Sequence, residues 1–233
     1  AACGVMAYTS LWLQTLLGMS PVRGGLVFVW LSLASFVVAA AGGRLLHGVP
    51  ARLTIGGGLL LIAAGQFCMA FLDAGSTASA LVPGLLLVGV GTGLVSPGIA
   101  GAALSAVPAE RAGMAGGAVN TFRQLGYALG IAVFGTVLTS RMEGTLPHDA
   151  AHGLAGGAAG ALRGVFGEHA LRAAFASGLN AAAATAGAVA AVAGVLVLVL
   201  VRAGGDGRGT GATPSAVPAP KGEEAAPAAS YRR

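Results

Sequence analysis

The sequence predicts an all-α membrane protein with six transmembrane helices, and three observations support this. Hydrophobic residues make up 55% of the chain and charged residues only 9%, whereas a soluble domain carries about 25% charged residues. Six apolar stretches, separated by turn or charge signals, approach the roughly 20 residues that a helix needs to cross a bilayer. Glycine is abundant, with 40 residues, and small residues let membrane helices pack closely.

The predicted spans lie between local breaks in the apolar pattern. Gly18 to Pro21 ends the first run, residues 73–76 end the third, and Pro83 lies near a helix start, where its missing N–H costs little. The first run is short for a span and begins without an initiator Met, so we expect a truncated first helix. The six predicted spans are residues 1–17, 24–41, 53–72, 80–104, 113–139 and 173–201.

The basic residues predict the orientation in the membrane. Because connectors alternate between the two sides, the Lys and Arg residues outside the spans divide unequally, and the positive-inside rule places the richer side in the cytoplasm. We therefore expect a bundle over residues 1–201 in the plasma membrane, an external loop over about 140–172, and a disordered cytoplasmic tail over 202–233. The cytoplasmic set is Arg44, Arg52, Arg111, Arg202, Arg208, Lys221, Arg232 and Arg233, and the external set is Arg23, Arg141 and Arg163.

Several other classes of protein are not expected. The net charge of +5 comes from basic residues scattered singly, so nucleic-acid binding is not predicted. No Ser/His/Asp or paired-carboxylate arrangement shares a membrane depth, which argues against an enzyme. His148 and His152 lie four residues apart in the external loop, but the sequence offers no evident third ligand, so no metal or other cofactor is predicted.

The fourth span carries a row of small residues at helical spacing. Gly89, Gly93, Pro97 and Gly101 follow one another at intervals of four, which predicts a flat face with a proline bend. Such a face is typical of a gating helix and equally of a static packing surface. A nucleotide-binding loop is not indicated, because the Lys-Ser/Thr ending is missing.

The fifth span contains the most polar stripe in the membrane part. Asn120, Arg123, Gln124 and Tyr127 share one helical face, and Gly126 and Gly130 form a GxxxG step beside it. An arginine deep in a bilayer costs at least about 2.5 kcal/mol and usually faces a cavity or a partner. These residues are therefore candidates to line a substrate cavity, with an interfacial anchor as the alternative for Arg123.

Other polar residues in the spans are isolated. Gln14 in the first span and Gln66 in the third are each more typical of a polar contact between helices than of a ligand contact, and Gln14 is kept as a further cavity candidate. Asp73 borders the third span at its external end, where it reads as a helix stop. No carboxylate of this sequence is therefore placed for proton relay, and a titrating acid would have to come from another segment.

The order and spacing of several motifs resemble the fourteen-span drug:proton antiporters of the major facilitator superfamily. The resemblance covers residues 1–201, and a long external connector before the last span is similar to 140–172. The connector after the first span and the cytoplasmic loop of Gly43, Arg44 and Arg52 also resemble the family, although Leu46 and His47 replace its usual acid and arginine. The main motif residues are Pro83 to Leu85, Gly91 to Gly93, Pro97, Val107 to Gly113, Gly116, Gly117, Asn120, Arg123 to Gly126, and Gly130.

This resemblance implies the carboxy-terminal half of a transporter that exports small hydrophobic or cationic compounds. Transport would use the proton gradient and alternating access, and the cavity would form against an amino-terminal half of the same polypeptide. The expected partners of this chain are therefore the lipid bilayer, the transported compound and the amino-terminal half of the same polypeptide. An uptake permease of the same superfamily and a non-transporting membrane subunit are the alternative hypotheses.

Overall fold

A computed structural model describes residues 2–45, 49–71 and 77–200, and every regular element in these ranges is helical. Short 3₁₀ turns at Ala78–Leu81 and Ala109–Arg111 precede two of the helices. The predicted all-α class is confirmed. The helices are α1 (Ala2–Thr15), α2 (Pro21–Leu45), α3 (Ala51–Met69), α4 (Val82–Ser105), α5 (Ala112–Met142), α6 (His148–Ala155), α7 (Ala159–Phe166) and α8 (Glu168–Leu200).

Among the described residues, five helical segments are long and apolar enough to cross a bilayer. They correspond to five of the six predicted spans, namely those that form α2, α3, α4, α5 and α8. The first predicted span forms α1, whose 14 residues reach only about 21 Å at 1.5 Å per residue. That length is below the roughly 30 Å of a bilayer core, and the truncation of this helix stays a prediction.

Backbone contact between glycines joins α3 to α4. A methyl group on Gly65 would lie 2.7 Å from the carbonyl oxygen of Gly84, and one on Gly58 would lie 2.9 Å from that of Gly91. Since Gly65 pairs with the earlier residue of α4 and Gly58 with the later one, the two helices are antiparallel. Small residues thus bring these backbones together, as close packing in a membrane requires.

A second glycine face of α4 packs on α2. Methyl groups on Gly89 and Gly93 would lie 2.5 Å and 2.6 Å from the carbonyl oxygens of Leu31 and Ser35. Both partners advance by four residues along their helices, so α2 and α4 are parallel. The central helix α4 is therefore in backbone contact with a neighbour on each of two faces.

The main core lies where α1, α5 and α8 meet. Trp12 of α1, Leu138 of α5 and Phe175 of α8 are buried in the same cluster, and a methyl group on Gly178 of α8 would lie 2.8 Å from the Leu138 carbonyl oxygen. The outer surface carries exposed apolar side chains such as Phe36 of α2 and Val199 of α8. Large exposed apolar surfaces of this kind suit contact with lipid.

The connector between the last two long helices contains α6 and α7. Ala151, Leu154 and Ala159 are fully buried, so these short helices share the main core. Gly157 separates α6 from α7 with φ +94° and Gly167 separates α7 from α8 with φ +74°, conformations that favour glycine. The predicted loop over 140–172 is thus largely helical and packed, and its external location stays a prediction.

Candidate substrate-facing surface

The polar stripe of α5 lies on an exposed half of that helix. Asn120, Arg123, Gln124 and Tyr127 are all exposed, as is every residue between them. The Nη2 atom of Arg123 donates a hydrogen bond to Oδ1 of Asn120 at 2.9 Å. Arg123 and Asn120 therefore lie on the same face of α5, where the amide oxygen of Asn120 orients the guanidinium group of Arg123.

The opposite side of the same half-helix is apolar. Phe122, Leu125 and Leu129 are exposed by 75%, 53% and 64%, and at 100° per residue they centre about 180° from the polar stripe. One side of α5 is thus suited to lipid or an apolar neighbour and the other to water or a polar partner. The burial of an arginine in lipid would be costly, so the side with Phe122 is the better suited of the two to contact lipid.

Further along α5, the face that carries the stripe is covered by α1. A methyl group on Gly4 would lie 2.8 Å from the carbonyl carbon of Gly130, and the Tyr8 hydroxyl donates to the carbonyl oxygen of Ile131 at 3.1 Å. Phe134, on the same face, is only 3% exposed. Within the described residues, α1 therefore covers this face of α5 from Gly130 onward and leaves the stripe open.

Gln14 is not brought to the stripe. Gly4 of α1 lies level with Gly130 and Tyr8 approaches Gly135, so α1 runs parallel to α5. Gln14 is therefore ten residues beyond Gly4, or about 15 Å farther from the stripe along the bundle. Its Nε2 donates to the Ser10 hydroxyl at 2.9 Å on the exposed side of α1. Gln14 and the stripe are consequently separated by about 20 Å or more along the helix axes.

The predicted glycine row of α4 divides into a packed half and an open half. Gly89 and Gly93 contact α2, whereas Pro97 is exposed and a methyl group on Gly101 would meet nothing within 4 Å. The row is thus a packing face only over its first two members. On α5, Gly126 is likewise open, so the Gly126 and Gly130 step meets α1 at Gly130 alone.

The predicted cytoplasmic loop is only partly described. Gly43 and Arg44 belong to the last turn of α2, but the side chain of Arg44 lies outside the described part of the structure. The same is true of residues 46–48, Asp73 and the tail after residue 200. Arg52, in the first turn of α3, is half-buried, and its Nε atom is buried without a hydrogen-bond partner among the described residues.

Two features were not evident from the sequence. Gln66 is 1% exposed, and its side-chain oxygen has no hydrogen-bond partner in the described part of the chain. Glu143, the residue after α5, lies within hydrogen-bonding or ion-pair distance of both His148 and His152. The sequence shows the spacing of the two histidines, but only the fold shows that Glu143 lies beside them.

Comparison with known proteins decides the family. The sequence profile described as the Major Facilitator Superfamily matches residues 1–131, which include α1 to α4 and the polar stripe. The chain belongs to the major facilitator superfamily. The resemblance seen in its motifs is thereby confirmed. The superfamily consists of transporters, which agrees with the prediction that this chain is not an enzyme.

Relatives within the superfamily include proteins named for drug resistance and export. The chain is 38% identical over 149 residues to the multidrug resistance protein Stp of Mycobacterium tuberculosis, covering 64% of this chain and 28% of that protein. It is 33% identical over 146 residues to the tetracenomycin C resistance and export protein of Streptomyces glaucescens, covering 62% and 27%. It is 33% identical over 138 residues to the probable actinorhodin transporter of Streptomyces coelicolor, and that match covers 58% of this chain and 24% of that protein. The matches thus span about a quarter of the length of these relatives.

Proposed function

We propose that this chain is part of a secondary transporter of the major facilitator superfamily that exports hydrophobic or cationic drugs or antibiotics. The relatives named for multidrug resistance and for antibiotic export support the direction and the substrate class. The observation that carries the proposal is the open polar stripe of α5, in which Arg123 donates a hydrogen bond to Asn120 on an exposed face of a helix long and apolar enough to cross a bilayer.

In this proposal the stripe lines an aqueous substrate path between this bundle and the rest of the transporter. Arg123 and Asn120 supply hydrogen-bond donors and an acceptor, while Tyr127 supplies an aromatic surface for a planar compound. The apolar side with Phe122 faces lipid or another helix. Polar side chains inside membrane proteins usually mark such paths.

Energy would come from the proton gradient, through alternating access between two inward- and outward-open states. The carboxylates in or next to the described spans are Glu110, Glu143 and Glu168, and all three lie at helix ends. A proton-binding acid at mid-membrane depth would therefore belong to another segment of the same polypeptide, and no resident cofactor is needed. The chain is expected to be inserted in the plasma membrane with its carboxy terminus in the cytoplasm.

The test is efflux of a fluorescent lipophilic cation from energised cells that express the complete protein. Arg123→Gln should slow efflux by about tenfold or more, equal to roughly 1.4 kcal/mol of lost stabilisation, at unchanged abundance in the membrane. Arg141→Gln is the matched control, because Arg141 lies at the far end of the same helix and outside the stripe. Equal efflux by Arg123→Gln and wild type would remove the stripe from the transport path.

Two further outcomes separate the alternatives. Energy-dependent accumulation of the cation, in place of loss, would identify an uptake permease. No movement of any of a panel of cations and antibiotics, by a protein present in the membrane, would favour a non-transporting subunit. If Asn120 and Arg123 act as a unit, the double variant Asn120→Ala with Arg123→Ala should lose no more activity than Arg123→Ala alone.

A further inference from the structure

Three side chains with metal-binding atoms meet where α5 ends and α6 begins. Oε1 of Glu143 lies 2.7 Å from Nδ1 of His148 and 3.4 Å from Nε2 of His152, and the ligand atoms of all three residues lie within 4.8 Å of one another. The two imidazole rings lie side by side, with centroids 4.4 Å apart. The three groups therefore surround a common point.

The backbone around this cluster is fixed by buried anchors. Met142 at the end of α5 and Ala151 and Leu154 in α6 are fully buried, and the amide of Leu146 donates to the Met142 carbonyl oxygen at 2.8 Å. Because residues four apart lie on one face of a helix, α6 presents His148 and His152 together. The core thus positions both histidines opposite Glu143 before any ligand arrives.

The donor set and its spacing suit a divalent transition-metal ion. In a tetrahedral zinc site with bonds of about 2.0–2.1 Å, the ligand atoms lie about 3.3 Å apart, and the separations of 2.7 Å and 3.4 Å bracket this value. Two imidazoles with one carboxylate form a known zinc donor set that leaves a fourth position open. The side chains are 35% to 73% exposed, so water has access to that position.

We propose that Glu143, His148 and His152 bind a divalent transition-metal ion of the zinc class. The ion would replace the direct contact between Glu143 and His148, and it would fasten α6 to the end of α5. Both histidines must be deprotonated at the ligating nitrogen, so binding weakens as the pH falls. The site lies beyond Met142, where the candidate span of α5 ends, and it does not depend on the proposed transport function.

The experiment is titration of the purified full chain in detergent with Zn²⁺, against a fluorescent zinc indicator. Purification uses a tag without histidine, and both cysteines are replaced by serine to remove thiol binding. We expect one Zn²⁺ per chain, and about 100-fold or more loss of affinity in each of His148→Gln, His152→Gln and Glu143→Gln, since even an outer-shell partner contributes 10–100-fold. His169→Gln is the matched control, because His169 is exposed in the first turn of α8 and outside the cluster.

X-ray absorption of the zinc-loaded chain provides a second readout that does not depend on variants. It should show two imidazoles in the first coordination shell together with oxygen ligands, and circular dichroism verifies that each variant keeps its helices. The proposal is overturned if the parent chain binds no Zn²⁺ at millimolar concentration. It is equally overturned if the three cluster variants bind as tightly as His169→Gln.

Discussion

Gly65→Ala tests whether direct backbone contact holds α3 against α4. The added methyl carbon would lie 2.7 Å from the carbonyl oxygen of Gly84 and 2.9 Å from the amide nitrogen of Val88. Ordinary van der Waals contact begins at 3.4 Å, so the shortfalls are 0.7 Å and 0.5 Å by subtraction. Both obstacles belong to the backbone, and neither can move aside by a change of rotamer.

The helices must therefore separate by about 0.7 Å around this point. A radial gap of 0.5–1 Å forfeits a quarter to a half of each pairwise attraction across the interface, and overpacking of this kind costs about 1–3 kcal/mol. Gly57→Ala is the matched control on the same helix, since a methyl group there would meet nothing within 4 Å. That control should be neutral or stabilising by up to about 1 kcal/mol, because alanine favours the helix over glycine.

The assay is reversible unfolding of the chain in mixed micelles of increasing SDS fraction, followed by the fluorescence of its two tryptophans. Gly65→Ala should unfold at a lower SDS fraction than wild type, and the difference in stability from Gly57→Ala should be about 1–4 kcal/mol. If the two variants unfold at the same SDS fraction, direct glycine contact does not hold these helices together.

Two further variants test single polar groups in the same unfolding assay. Gln66→Met removes a buried oxygen that has no hydrogen-bond partner among the described residues and should stabilise the fold by about 1 kcal/mol. A loss of stability would show that the amide has a favourable partner. Arg163→Gln removes a 2.7 Å hydrogen bond from α7 to the Thr15 carbonyl oxygen at the end of α1, at an expected cost of about 0.5–1.5 kcal/mol. Arg141→Gln should cost less, and equal losses in the two arginine variants would contradict a specific contribution of the Arg163 bond.

The positions of the long helices were predictable because each needs an uninterrupted apolar run, but their ends depend on local polar chemistry. The second helix begins at Pro21, three residues before the predicted start, since proline is favourable in the first helical turn. The last helix begins at Glu168, five residues early, where Glu168 and Arg172 form an ion pair at 2.6 Å. Such an i, i+4 pair lets polar residues extend a helix beyond its apolar part.

The short helices α6 and α7 were not predicted, because each has only eight residues and lies between the long apolar runs that indicate membrane spans. They are stabilised by burial of Leu154 and Ala159 against distant segments, which a local pattern does not contain. The polar stripe was easier to predict than these short helices, since helical spacing alone places Asn120 beside Arg123. Its exposure, however, depends on where α1 covers α5, and that is a tertiary property.

The two glycine faces of α4 have a mechanical consequence. At Gly65 and Gly84 on one side of α4, and at Ser35 and Gly93 on the other, backbone atoms of neighbouring helices lie so close that not even a methyl group fits between them. We therefore expect α2, α3 and α4 to move as one rigid body whenever the protein changes conformation. Spin labels placed on the outer faces of α2 and α3 should keep a constant separation, while their distances to the open half of α5 vary.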